Sequence, residues 1–309
     1  MIIIGDNHKF SEFELKILKL KHKRINFIQD INDDFEVITN RIESSINGIT
    51  SILIVLNVDG TIPSKLLTYL TKIEHSKDVY FLTIDSFLEL ELKKMFVPKK
   101  LTNLRFLEKA GPYTNRQYII KRAIDYVAVV FILALSWPII IYAIYRISKD
   151  SPVGPVLFKQ KRIGLRAKEF VCIKFRSMEI DAEKNGAQFS SKDDPRVFSW
   201  GKTMRKTRID ELPQLINVLK GEMHLIGPRP ERKIWVDQFE NEIPYYSERH
   251  LVRPGITGWA QVKYPYGENK EDARQKLMYD LFYMKEWSLK LEVLTVLKTI
   301  RVILSRSGM

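Results

Sequence analysis

The residues with the clearest chemical potential lie between Arg205 and Pro230, in the run RKTRIDELPQLINVLKGEMHLIGPRP. Asp210 and Glu211 are adjacent carboxylates, with Arg205, Arg208 and Arg229 near them in sequence. Neighbouring helical residues point about 100° apart, so this pair is poorly arranged to share one proton. A division of labour suits it better, with one carboxylate as nucleophile and the other as metal ligand or orienting group. The plain alternative is an acidic first turn that steadies a helix through its dipole. The arginines favour chemistry, because carboxylates and a phosphate share a site only when cations offset their repulsion. An Asp at a helix start beside arginines is expected to have a lowered pKa.

Three further stretches could serve such a centre. Residues 170–178, FVCIKFRSM, read as a strand with Lys174 and Arg176 on its polar face. Residues 253–262, RPGITGWAQV, combine Arg253 and Thr257 with two glycines. Such a tight loop can offer free N–H groups to a phosphate, or can simply be a turn. Asp280 is a lone acid in the aromatic run YDLFY, where an exposed side chain is the default.

These residues need elements to hold them. Asp210 as N-cap, Pro213 in the first turn and Gly221 as the stop predict a helix of about ten residues. Its apolar face is Leu212, Leu215, Ile216 and Leu219. Residues 126–145, YVAVVFILALSWPIIIYAIY, contain no charge and are preceded by Lys121 and Arg122. As a helix they reach roughly 30 Å, enough to cross a hydrocarbon core, with a buried core helix as the less favoured alternative. Positive charge flanks both ends, so no crossing direction is favoured. Pro138 lies near the middle, and Ser136 could satisfy a carbonyl freed by it. These features predict a broken, re-entrant helix over residues 118–150. Residues 287–303, rich in Leu, Val and Ile with Lys290, Lys298 and Arg301, suit a helix lying on a membrane surface, with packing into the core as the competing reading.

The first hundred residues differ in character. They carry 14 basic and 14 acidic side chains, whereas the remaining residues carry 36 against 23, the whole of the chain's +13. An anionic partner is therefore expected for the second part alone. Apolar runs at 2–4, 25–28, 51–58 and 79–84, separated by helical spacings, predict a parallel α/β sheet that is Rossmann-like. The turn Gly5-Asp6-Asn7-His8 has one glycine where a dinucleotide fingerprint has three, so a docking or regulatory role is favoured over a cofactor. The single cysteine, Cys172, excludes a disulfide framework and fits a reducing compartment. The N-terminus lacks the basic region of a cleaved signal peptide. The domains read as an accessory unit over 1–105, a linker over 106–117, the membrane hairpin and a catalytic unit over 151–309.

Taken in order, KFRSM at 174–178, the Asp210-Glu211-Leu212 triplet, NVLKG at 217–221, GPRP at 227–230 and PGITGWAQV at 254–262 resemble the bacterial sugar transferase family. These are monotopic phosphoglycosyl transferases acting on polyprenol phosphate, and the resemblance covers roughly residues 115–308. It implies a mostly helical α+β catalytic domain with a re-entrant helical hairpin. It implies transfer of a sugar-1-phosphate from a UDP-sugar to polyprenyl (undecaprenyl) phosphate, with release of UMP, at the start of a surface glycan. Asp210 would attack the sugar-bearing phosphate to give a covalent aspartyl intermediate. Glu211 would support catalysis and help place Mg2+, which Asp210 and Glu211 would hold. Asp280 would act at the metal or with the acceptor. Lys174, Arg176, Arg205, Arg229, Arg253 and Thr257 would bind substrate. Ser136 and Pro138 would shape the hairpin. The implied location is the cytoplasmic face of a bacterial inner membrane.

Trp137 stands where the family often has Ser before the hairpin proline. The accessory unit is closest to that of larger members, which place a Rossmann-like domain after four membrane spans absent from this sequence. Partners implied are a UDP-sugar, polyprenyl phosphate and membrane lipids, with a homodimer left open. Nucleic acid is disfavoured because the basic residues are scattered among Gly-Pro turns. A membrane-tethered basic binding protein and an inactive scaffold are the competing readings. The sugar is not legible; loops 190–195 and 263–269 are expected to contact it.

Overall fold

The structure is a computed structural model, and it describes residues 1–29, 34–49, 51–59, 62–76, 78–98, 106, 111–184, 186, 188, 194–265, 267 and 269–305. Most of the expected linker before residue 111, and parts of the two loops expected to contact sugar, lie outside them. The chain forms two compact units, Met1–Phe96 and Val97–Met309.

In the first unit, four short runs become parallel strands; the central two are nearly continuous in apolar residues with buried side chains on both faces, whereas Phe27 and Tyr80 of the outer two are exposed. They are β1 (Ile2–Ile4), β2 (Asn26–Ile28), β3 (Ser51–Leu56) and β4 (Asp78–Thr83), in the order β2-β1-β3-β4. Ile4 faces Ile28 on one side and Leu56 on the other. Between them run α1 (Glu12–Lys21), α2 (Phe35–Ile46) and α3 (Ser64–Ser76). Ile38, Ile42, Leu66 and Leu70 pack on Ile2, Ile4 and Ile54 to form the core. After β4, α4 (Ile84–Phe87) widens into a π-helical turn over Leu88–Leu92.

The turn after β1 is closed by the chain itself. Asn57 donates to the carbonyls of Gly5 and His8, and its own side-chain oxygen accepts from the His8 amide at 2.7 Å. A Cβ on Gly5 would lie 2.4 Å from the Asn57 carbonyl, so the β1 and β3 loops meet backbone to backbone. Beneath them His8, Glu14 and Lys94 form a fully buried ionic cluster.

The second unit is organised on α5 (Asn115–Asp150), 36 residues long and begun by a Thr114–Gln117 capping box. It starts inside the expected linker. The backbone stays helical through Pro138, in place of the break expected there. Ser136 Oγ is buried without a hydrogen-bond partner, so the expected repair of a freed carbonyl is not made. The most apolar 18 residues have a mean hydropathy of 2.6 with 17% of that stretch buried. Val127, Phe131, Leu135 and Trp137 are all exposed, unlike the side chains of a core helix.

Both flanks of this exposed stretch return to the same unit. Val129 packs with Leu215, Val218 and Met223, while Ala143 and Ile147 pack with Phe175, Phe198 and Met204. Leu212 lies against both clusters. The remaining frame is a hairpin, β5 (Leu157–Ile163) with β6 (Glu169–Phe175), and a parallel pair, β7 (His224–Ile226) with β8 (Gly255–Thr257). Around it lie α6 (Ser199–Thr207), α7 (Gln214–Leu219), α8 (Lys233–Glu242), α9 (Trp259–Lys263), α10 (Lys270–Lys285) and α11 (Leu289–Leu304). Val293, Leu297 and Ile300 of α11 are exposed, while Leu291, Glu292 and Thr295 face inward.

Candidate active site

The carboxylate pair sits on a turn rather than at the start of a ten-residue helix. Arg208 adopts a left-handed conformation, φ 59°, which ends α6 and opens a single 3-10 turn over Ile209–Glu211. Such a conformation costs a non-glycine residue about 1–2 kcal/mol. Asp210 therefore lies within a tight turn and is not an N-cap, and α7 begins only at Gln214.

The two neighbours experience opposite surroundings. Glu211 Oε1 lies 3.1 Å from Lys174 Nζ and 3.3 Å from Arg229 Nη1, and its Oε2 lies 3.3 Å from Arg208 Nη1. Burial alone would raise its pKa, but Lys174, Arg229 and Arg208 hold it below the usual glutamate range. Asp210 is 7% exposed, and its Oδ1 is buried with no hydrogen-bond partner. Burial, then the charge of Glu211, pushes Asp210 up to about 6 against the pull of Lys174, Arg205 and Arg208. The expectation of a lowered Asp210 pKa is thus reversed. The cations pair with its neighbour, and Asp210 is left desolvated beside a like charge.

The expected substrate-binding cations separate into two groups. Lys174, on β6, and Arg229, in the turn after β7, meet at Glu211. Arg205 donates to Ser177 Oγ at 2.9 Å and is close enough to act on Asp210. Arg176 turns elsewhere, donating to the Ser151 hydroxyl and carbonyl and to the Pro155 carbonyl, so it fastens the end of α5. Arg253 donates to the Gly221 carbonyl and lies 4.9 Å from the Tyr118 ring centre. Thr257 shares a hydrogen bond with Thr299 of α11.

The glycine-rich loop is a packing device. A Cβ on Gly255 would lie 2.1 Å from the Gly227 nitrogen, and one on Gly258 would lie 2.2 Å from the Gly227 carbonyl oxygen. The amides of Gly227 and Gly255 donate to Thr257 and Pro228 carbonyls, so they are not free for a phosphate as one reading of the loop required.

Asp280 is 2% exposed, contrary to the default for a lone acid, and pairs with Arg249 at 2.8 Å. Burial raises it, against the pull of Arg249, to about 6. Sequence reading did not single out Arg249. Its only local signal is Tyr246 three residues earlier, whose hydroxyl accepts from Arg249 Nη1 at 2.7 Å.

No group of three His, Cys, Asp or Glu side chains stands ready to cage a metal among the described residues. Both Glu211 oxygens face cations. Asp210 Oδ1 is a hard, unpartnered oxygen, which fits Mg2+ bound by one protein carboxylate together with substrate phosphate.

The fold and site define a domain with one long apolar helix and a buried carboxylate pair inside a ring of cations. The chain belongs to the bacterial sugar transferase family, whose pattern matches residues 116–306. Over 189 residues it is 51% identical to a UDP-N-acetylgalactosamine-undecaprenyl-phosphate N-acetylgalactosaminephosphotransferase of Aeromonas hydrophila, covering 61% of this chain and 44% of that protein. Over 202 residues it is 38% identical to a UDP-glucose:undecaprenyl-phosphate glucose-1-phosphate transferase of Xanthomonas campestris pv. campestris, covering 64% and 42%. A protein of the same description in Caulobacter vibrioides is 38% identical over 207 residues, covering 66% and 77%. The chain spans less than half the length of the Aeromonas and Xanthomonas relatives.

Proposed function

We propose that the protein transfers a sugar-1-phosphate from a UDP-sugar to undecaprenyl phosphate and so begins a surface glycan such as an exopolysaccharide or lipopolysaccharide. The observation that carries this reading is the unpartnered Asp210 oxygen beside a Glu211 held by three cations. Asp210 attacks the sugar-bearing phosphorus, the bond to the UMP oxygen breaks, and UMP leaves with that electron pair. An oxygen of undecaprenyl phosphate then attacks the same phosphorus and frees Asp210. Lys174, Arg208 and Arg229 are placed to receive diphosphate charge, and Glu211 keeps them aligned. Mg2+, held by Asp210 with phosphate oxygens, would neutralise the diphosphate and improve UMP as a leaving group. N-acetylgalactosamine is the sugar best supported, because the Aeromonas relative named for it shares 51% identity against 38% for the glucose transferases.

The site belongs at the cytoplasmic face of the inner membrane, where a lipid-bound acceptor can reach it. In this reading α5 bends at Pro138 without losing its helical backbone, so that it enters one leaflet and returns, which fits the contact of both its flanks with the clusters that share Leu212. The exposed apolar face of α11 lies on the surface beside it. The first unit is a Rossmann-like accessory domain. Asp210→Asn should abolish UMP release from UDP-N-acetylgalactosamine in membranes, and EDTA should do the same. Turnover of Asp210→Asn at the native rate would overturn the covalent route. Single cysteines at Asn115 and Ser151, labelled from either side of sealed vesicles, should react from one side only.

A further inference from the structure

We propose that Arg249 is a positioning residue for the transfer, and that Asp280 serves the reaction by holding Arg249 rather than by touching substrate, metal or acceptor. The proposal rests on the reaction proposed above. Arg249 lies on the 3-10 turn Tyr246–Leu251 and is 5% exposed. Its Nη2 donates both to Asp280 Oδ2 at 2.8 Å and to the backbone carbonyl of Arg229 at 3.0 Å. Its Nη1 donates to the Tyr246 hydroxyl, and the guanidinium stands 5.2 Å from that ring's centre.

The carbonyl it holds belongs to the residue whose side chain reaches Glu211. Three successive carbonyls of this turn are gripped from outside. Arg249 holds that of Arg229, Arg162 Nη1 that of Pro230 at 3.2 Å, and the Ile163 amide that of Glu231 at 2.9 Å. Prolines on both sides of Arg229 restrict its backbone further. A braced backbone fixes where the Arg229 guanidinium begins, and that guanidinium lies 3.3 Å from Glu211 Oε1. Asp280, Arg249, Arg229 and Glu211 thus form one chain of contacts ending beside Asp210. Asp280 is enclosed by its partner at one end of this chain, an arrangement suited to fixing an arginine.

The test uses the full-length protein in membranes and separates the two half-reactions. Without acceptor, Arg249→Lys and Asp280→Asn should each slow the burst of UMP release by about ten- to a hundred-fold, the penalty of a misplaced catalytic group. Tyr246→Phe, which removes one contact and keeps every charge, should slow the same burst by about threefold. The double variant Arg249→Lys/Asp280→Asn should be no slower than the worse single variant, since both interrupt one chain of contacts. The KM for undecaprenyl phosphate should stay within about twofold of wild type. Asp280→Asn that releases UMP at the native rate but needs more acceptor or more Mg2+ would overturn the proposal. So would native rates in both half-reactions for Arg249→Lys. Nitrogen NMR of the Arg229 guanidinium provides a readout independent of turnover. Its signal should be sharp in wild type and broadened in Arg249→Lys, and an unchanged signal would overturn the relay. If the wild type releases no UMP while Arg249→Lys still broadens this signal, the reaction is overturned and the relay stands.

Discussion

Arg253 donates through Nε to the carbonyl of Gly221 at 2.5 Å, closing the far end of the short helix that follows Asp210 and Glu211. Gly221 takes the left-handed conformation, φ 79°, that ends the helix. Arg122 donates to the Val218 and Met223 carbonyls beside it. Cations at this terminus complement the helix dipole. Arg253→Ala should therefore lower stability by about 1–2 kcal/mol, seen in thermal unfolding. The KM for UDP-sugar should move less than about twofold. A large rise in KM without loss of stability would restore Arg253 as a phosphate ligand.

The raised pKa of Asp210 sets the acid side of the pH profile. The proposed attack needs the ionised form, so kcat/KM for UMP release, which reports the enzyme before substrate and Mg2+ bind, should fall about tenfold per pH unit below about 6 and level off above about 7. Glu211→Gln removes the like charge, and the acid limb of the remaining rate should move to lower pH. Rates measured from pH 5 to 8 check both statements.

Glu14 is the counter-charge of a lysine that has no access to water. Its Oε1 meets both His8 Nε2, at 2.7 Å, and Lys94 Nζ. Glu14→Ala should cost about 3–5 kcal/mol, because Lys94 stays buried without its Glu14 counter-charge. Burial alone would raise the pKa of Glu14, but His8 and Lys94 more than offset it and hold it well below the ordinary 4.5. A carboxylate lowered on folding stabilises the fold above its unfolded pKa, and that contribution is lost as pH falls. Urea unfolding of the first unit, followed by hydrogen exchange, should show stability declining below about pH 4.5 in wild type. Glu14→Ala should lack this decline.

Ala167 has φ 56° in the β5–β6 connection, a conformation in which a Cβ crowds the following carbonyl. Glycine there relieves the crowding and adds freedom to the unfolded chain. The balance should leave Ala167→Gly more stable by about 0.5–1 kcal/mol, measured by thermal melting. Activity should be unchanged.

What could be read along the chain was whatever depends on near neighbours. The strands of the first unit lie within two residues of their apolar runs, because continuous Ile, Val and Leu leave few other ways to bury both faces. The pairing of a carboxylate with arginines was legible from density alone. Which carboxylate they pair with was not, since Lys174 and Arg229 approach Glu211 from 37 and 18 residues away. That long-range choice reverses the pKa of Asp210. Arg176 and Arg253 looked like site cations by motif, yet each is committed to backbone carbonyls that only the folded chain assembles. Arg249 stayed hidden because its partner Asp280 lies 31 residues away.

One oxygen of Glu292 joins parts of the second unit that sequence would treat as separate. Lys121 of α5, Trp287 and Tyr283 of α10 all converge on Oε1. Tyr283 stands one helical turn beyond Asp280, on the same side of α10. A chain cut before Leu289 would lose the counter-charge of a completely buried lysine along with a helix that looks like a detachable tail. The last helix is therefore interior architecture as well as surface. Trimming it for solubility would remove the joint between the longest helix and the helix that carries Asp280.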